Sequence, residues 1–322
     1  MKMRDSIVTF DAIDMQDRSF VITCGRSAQG LAYSMQMAGL INSPCLMLSE
    51  QRICYRVVCG WLRMKAAAEL GWREIPAKIV DAETDERQVF LFSLYDNLSH
   101  RIFNFVEKAY AVERLHRFFS DEEIAATYLP LLGLPPTFAA LEEMLLILKL
   151  EEEIREAIAQ GTLAEKNAVK LAAMSQQDRR CLFDLFQSVH LSFSKQAEVI
   201  ENCADIAGRD GLSPADILKH DDIAKIANRD ALNLSQKGEQ IRQWIKKKRF
   251  PLLATREEHF LSTLRKLHLP QRAELKHPPF FEGETYQLQI EFETAEALAA
   301  AADEAKQLAE SPAMHELLKE HA

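Results

Sequence analysis

The chain has 322 residues, 48% of them hydrophobic and 27% charged, which is long enough for two or three domains with a substantial core. Its 39 basic and 48 acidic side chains leave a formal charge of -9, which argues against a protein that coats nucleic acid through bulk charge but leaves room for a local basic face. Six cysteines (Cys24, Cys45, Cys54, Cys59, Cys181, Cys203) include no C-x-x-C pair, so neither a zinc ribbon nor a thioredoxin-type site is indicated and reduced thiols are expected.

The first segment, "MKMRDSIVTFDAIDMQDR", carries acids where a signal peptide needs an apolar core, and no run reaches the ~18 apolar residues of a membrane span. A cytoplasmic location without membrane contact is the expectation. "SFVIT" (19–23), "RVVCG" (56–60) and "IPAKIVD" (75–81) read as strands, and "LAYSMQMAG" (31–39) as a short helix closed by Gly39.

The stretch "YRVVCGWLRMKAAAELGW", Tyr55 to Trp72, reads as a buried strand that turns at Gly60 into a helix ending at Gly71. A helix N-terminus offers unpaired N–H groups and partial positive charge, a glycine lets an anion approach the backbone, and Arg63 in the first turn adds a charged donor.

From Asn104 to about residue 207 the pattern is helical. Val106, Ala109, Tyr110, Val112, Leu115 and Phe119 repeat at three-and-four spacing, and Ser120 offers a cap for the next helix. Between Ser120 and Glu165 ten acids face two basic residues, and the helix expected over Thr137 to Leu150 holds no basic residue before Lys149, which suits packing better than base reading. Ser213-Pro214 opens a further helix. Between Arg229 and Lys276 twelve basic residues meet five acidic ones, with Trp244 set among Arg242, Lys246, Lys247, Lys248 and Arg249, so a polyanion is expected there first. The end of the chain reads as two strands about a Glu-Gly turn and an alanine-rich helix, with Tyr286, Leu288, Ile290 and Phe292 forming a half-buried face.

Taken in order, "LAYSMQMAGLINSPCL", "RVVCGWLRMKAAAELGW" and "DNLSHRIFNFVEKAYAVERL" resemble three motifs of the ParB partition-protein family, over a stretch running from about residue 20 to 200. The first is matched by Leu31, Ser34, Met35, Gly39, Leu40 and Pro44, the second by Gly60, Arg63, Ala66 and Ala67, and the third by Asp96, Asn97, Leu98, Asn104 and Glu107. Where the family keeps Glu-Arg after the glycine this chain has Trp61-Leu62, and the arginine of the third motif is His100, with Arg101 one step later.

The resemblance, together with the residue patterns beyond residue 200, implies a multidomain α+β protein. It comprises a ParB/sulfiredoxin-like α+β domain (1–101), an all-α middle domain with a degenerate helix-turn-helix (102–207), a basic helical segment (208–275) and a small α+β C-terminal element suited to dimerisation (276–322). It further implies CTP with Mg as ligands, with Ser34 and Gly39 along the nucleotide, Gly60 and Arg63 at the phosphates, Asn97 beside them and Asp96 on the metal side. DNA would be met through the basic segment 229–276 by Arg242, Lys246, Lys247, Lys248 and Arg249, in a nucleoid-associated homodimer of partition or regulatory type with a divergent nucleotide pocket. Any turnover would be of CTPase type. Two other readings stay open: a phosphotransferase of the same fold, akin to a free-serine kinase with Glu50 or Asp96 as acid, and a non-catalytic interaction protein with a decayed pocket. Sulfiredoxin-like catalysis would need a cysteine after Gly60, so Cys59 is expected to be a buried thiol.

Overall fold

The computed structural model describes residues 1–49, 54–283 and 285–319. The chain divides into two compact units, Met1–Gln187 with Ser192–Ile200, and Ser188–Leu191 with Glu201–Ala322.

The first unit begins with an α+β domain. Strands β1 (Met3–Thr9), β2 (Ile13–Asp14), β3 (Cys45–Leu48), β4 (Tyr55–Cys59) and β5 (Glu74–Val80) form one mixed sheet in the order β1-β5-β3-β4-β2. The β1–β5 and β3–β4 pairs are antiparallel, whereas β3–β5 and β2–β4 are parallel. Helices α1 (Gln29–Ala38) and α2 (Trp61–Glu69) cover the face carrying Leu46, Val57, Ile75, Ala77 and Ile79 and contribute Met35, Met64, Ala66 and Ala67 to that core. Pro76 is compatible with an inner strand because β5 pairs with β3 only from Lys78 onward, so the missing N–H falls where β5 has a single neighbour.

The strand expected at Ser19–Thr23 is absent. Phe20, Val21 and Ile22 are all buried, which a pleated strand with one covered face does not permit, and the Val21 N–H donates to Arg18 O in a turn. Strand β1, which the sequence did not announce, buries only Val8 and therefore shows no alternating apolar face.

Helix α3 (Glu86–His100) docks through Ser93, whose hydroxyl donates to Val58 O at 2.7 Å. Helix α4 (Phe105–Leu115) is closed by an Asn104–Glu107 capping box, and Val106, Ala109, Val112 and Leu115 are buried as their spacing requires. After the Ser120 cap, a short π-helical turn at Ile124–Tyr128 precedes Pro130, and Thr137 then caps the Phe138–Ile147 helix. That helix packs through Leu141, Met144 and Ile147, while Phe138 is 53% exposed.

In the second unit Ser213 caps a helix with Pro214 in its first turn, and the Leu234–Arg249 helix carries four basic residues in its last turn, where the macrodipole favours them. Strands β6 (Ala273–Lys276) and β7 (Gln287–Ile290) pair antiparallel beside the Ala295–Ala309 helix. Of the face expected to be half buried, Tyr286 and Ile290 are so, whereas Leu288 and Phe292 are exposed. No helix among the described residues is long and apolar enough to cross a membrane.

Candidate functional site

Strand β4 ends at Cys59 and the chain turns at Gly60, whose φ of 88° and ψ of 26° lie in the left-handed region. A methyl group on its Cα would sit 3.0 Å from Pro44 Cβ and 3.1 Å from Arg63 Nε, so the dihedral favours glycine and any side chain would also press on Pro44 and Arg63. No side chain caps α2, so its first-turn N–H groups keep their donor capacity at this corner.

The corner opens on a cavity of about 690 Å³, whose lining includes Gly60, Arg63, Asp96 and Asn97 together with Asn42, Ser43, Lys78 and Arg101. Arg63 is held there by its Nη1, which donates to Asn42 O at 2.8 Å and Ser43 O at 3.3 Å. Asn97 donates to Ser93 O at 2.8 Å and accepts from Arg101 Nε at 3.1 Å. Trp61 and Leu62 form part of the wall, and the Arg18 guanidinium lies 4.9 Å from the Trp61 ring centre.

Four of the six residues expected at a nucleotide and metal site therefore share one cavity. Ser34 lies in α1, half-buried, and Gly39 terminates that helix with φ 73°, both outside the cavity lining. Lys78 and Arg101 are additional cations in the lining. Lys78 was findable, because alternation in "IPAKIVD" puts it on the face opposite Ala77 and Ile79. Glu50, the other acid considered for phosphotransfer, lies outside the described residues.

Behind the cavity Glu107 is fully buried and receives two arginines. Arg26 donates through Nε and Nη2 at 2.8 Å each, and Arg101 through Nη1 at 2.6 Å. Burial lowers the Arg101 pKa, while the neighbouring Glu107 charge opposes that shift.

Cys45 and Cys59 are direct cross-strand partners at the cavity wall, and both are free thiols. Burial pushes Cys45 up to about 12, with the Asp96 charge adding to the rise, and pushes Cys59 up further for the same reasons. Such thiols are protonated at neutral pH and poor nucleophiles, in keeping with the expectation for Cys59. Among the described residues no group of three or more His, Cys, Asp and Glu side chains could hold a metal ion.

The basic residues of the second unit are extensively paired. Arg242 bonds to Glu239, Lys247 to Glu258 at 2.8 Å, and Arg249 to Asp205 and Asn202. Lys248 sits 5.2 Å from the Trp244 ring centre, and Lys246 is half-buried on the same helix.

The site thus defines an α+β domain with a glycine-cornered cavity lined by cations and one carboxylate. Residues 9–98 match the family model of the ParB N-terminal domain. Over that stretch the chain is similar to the ParB N-terminal domain. It is 24% identical over 148 residues to a nucleoid occlusion protein from Bacillus cytotoxicus, covering 46% of this chain and 49% of that one. It is 28% identical over 151 residues to a nucleoid occlusion protein from Bacillus licheniformis, covering 46% of this chain and 50% of the other. The similarity thus spans about half the length of these curated relatives. Among solved structures, a Pnob8-like ParB-N domain aligns at 14% identity with a TM-score of 0.35, over 77% of this chain and 98% of that one. The C-terminally truncated chromosome-partitioning protein ParB from Caulobacter crescentus, complexed with CTP-gamma-S, aligns at 20% identity with a TM-score of 0.25, over 57% of this chain and 99% of that one.

Proposed function

We propose that this chain is a DNA-associated protein of partition or nucleoid-occlusion type whose Gly60 cavity binds a nucleoside triphosphate, CTP by family resemblance. The observation that carries the reading is the meeting of Gly60, Arg63, Asp96 and Asn97 in one cavity with a glycine corner built for close backbone approach. The pocket is divergent: Trp61 and Leu62 bring no charge to the first turn, and Lys78 and Arg101 supply cations from β5 and the end of α3 instead. A single carboxylate, Asp96, suits Mg, which keeps most of its shell as water and phosphate oxygens. The cation would offset triphosphate charge, while the chain's own part is to place the phosphates through the α2 N–H groups and Arg63.

DNA would meet the basic helix Leu234–Arg249 through Arg242, Lys246, Lys247, Lys248 and Arg249, and exposed Leu288 and Phe292 support a homodimer contact at the β6–β7 ribbon. The protein would then act in the cytoplasm on the nucleoid. The test is fluorescence anisotropy on a labelled duplex across a salt series, with and without CTP and Mg. Salt-dependent binding whose affinity changes with CTP supports the reading; the absence of DNA binding at low salt in both conditions leaves an interaction protein with a decayed pocket.

A further inference from the structure

The Phe138–Ile147 helix packs through Leu141, Met144 and Ile147, yet its outer face is not simply polar. Phe138 and Ala139 are exposed there, with Glu142 one turn on. The connection leading into the helix extends the apolar surface with exposed Leu131, Pro135 and Pro136. Residues 124–141 carry no charged side chain, although the connection within them runs over the surface. Scattered exposed apolar residues are ordinary, but a contiguous patch with a polar rim is the mark of a docking site.

The surface is formed before any partner arrives. The Leu134 N–H donates to Leu129 O and the Thr137 N–H to Pro135 O, each at 2.8 Å, while the Thr137 hydroxyl oxygen accepts from the Ala140 N–H at 3.2 Å. Two prolines stiffen the same connection, so little ordering entropy is lost when an apolar group covers it.

The rim is acidic. Asp121, Glu122 and Glu123 form the turn that packs against this helix, and Glu142 and Glu143 follow Phe138 on the helix itself. Asp121 stands 3.2 Å from His116 Nδ1, whereas Glu142 and Glu143 make no ion pair among the described residues. Residues 121–148 hold five acids and no Lys, Arg or His. Lys108 reaches the connection near Gly133, and Lys149 follows the helix at the end remote from Phe138.

That charge selects the occupant. Nucleic acid phosphates and anionic lipid headgroups would meet like charge, and an isologous contact with a second copy would set these acids against themselves. We propose that the surface around Leu131 and Phe138 docks a basic protein segment bearing an apolar anchor. The anchor covers Leu131 and Phe138, and the segment's lysines or arginines meet Glu122, Glu142 and Glu143. None of these residues lines the Gly60 cavity, so the inference stands apart from the nucleotide reading.

The probe is a fluorescein-labelled amphipathic leucine–lysine peptide of about four helical turns, titrated by anisotropy with the full chain, beside an oligolysine of equal charge. Wild type, Phe138→Ser and Glu142→Lys are compared; both substituted side chains are exposed, and circular dichroism checks that each variant folds. The expected result is saturable binding of the leucine–lysine peptide to the wild type, weakened by roughly tenfold or more in each variant, with oligolysine weaker by a similar factor for want of an anchor. Absence of saturable binding in the wild type, or equal affinity in the wild type and both variants, overturns the proposal. So does a labelled DNA duplex whose binding falls in Phe138→Ser while peptide binding is unchanged, since the face then meets nucleic acid.

Discussion

Arg101 Nη1 donates to Oε1 of Glu107 at 2.6 Å, and the Glu107 side chain is fully buried. Arg101 stands one step after His100, the position of the third-motif arginine in the family that the chain resembles. Much of its donor capacity is spent inward, on Glu107, Asn97 and the Thr23 hydroxyl, where it ties α3, α4 and the 23–26 loop together. Replacing Glu107 by Ala strands two guanidinium groups and opens the capping box, so a loss of about 3–5 kcal/mol is expected in urea unfolding. Arg26→Ala should cost less, because Arg26 is one-third exposed and Arg101 still pairs the carboxylate.

Gly60→Ala should also destabilise. An L side chain at φ 88° costs about 1–3 kcal/mol, and the new methyl presses on Pro44. Gly71→Ala provides the comparison, since Gly71 also has positive φ, at 71°, but nothing within 4 Å of an added Cβ. Thermal melts of the two variants should show Gly60→Ala as the less stable.

Alkaline pH should weaken the fold through its buried thiols. The folded Cys45 thiol titrates near 12, against an ordinary value of 9.0. Its contribution is fully present below about pH 9 and is lost as pH rises towards 12, because the unfolded chain gives up the proton first. Within that window each such thiol costs about 1.4 kcal/mol per pH unit. Urea unfolding at pH 8 and pH 10 should show a smaller loss in Cys45→Ala than in the wild type, whatever the variant's starting stability; an identical pH dependence would remove Cys45 as a cause.

The ion pairs of the basic helix do not preclude DNA. Lys247 and Glu258 are both more than half exposed, and such pairs are worth about 0–1 kcal/mol, so a phosphate can compete for the lysine. Lys247→Glu with Lys248→Glu should lower the slope of log affinity against log salt by about two, as expected if each lysine meets one phosphate. A slope equal to that of the wild type would place the DNA contact elsewhere.

The sequence carried the corner well, because a left-handed glycine between a β-branched strand and an alanine-rich helix leaves a local pattern. The same holds for α4, whose apolar stripe and Asn104 cap are local features. Three features were not legible, each because it depends on distant residues. Phe20 to Ile22 look like a strand by propensity and are buried on all sides by packing. Glu107 stands out in the sequence as a motif match, but its full burial between two arginines shows only when Arg26 arrives from 81 residues away. The basic run looks like a free cationic face until Asp205 and Glu258 fold against it.

The central claim is that the Gly60 corner holds a triphosphate through Arg63. Calorimetric titration of CTP with Mg into the wild type and Arg63→Ala tests it most directly, with Arg155→Gln as the control outside this cavity. The account predicts saturable heat in the wild type and in Arg155→Gln, weakened by roughly tenfold or more in Arg63→Ala; no heat in the wild type, or equal affinity in Arg63→Ala, would contradict it.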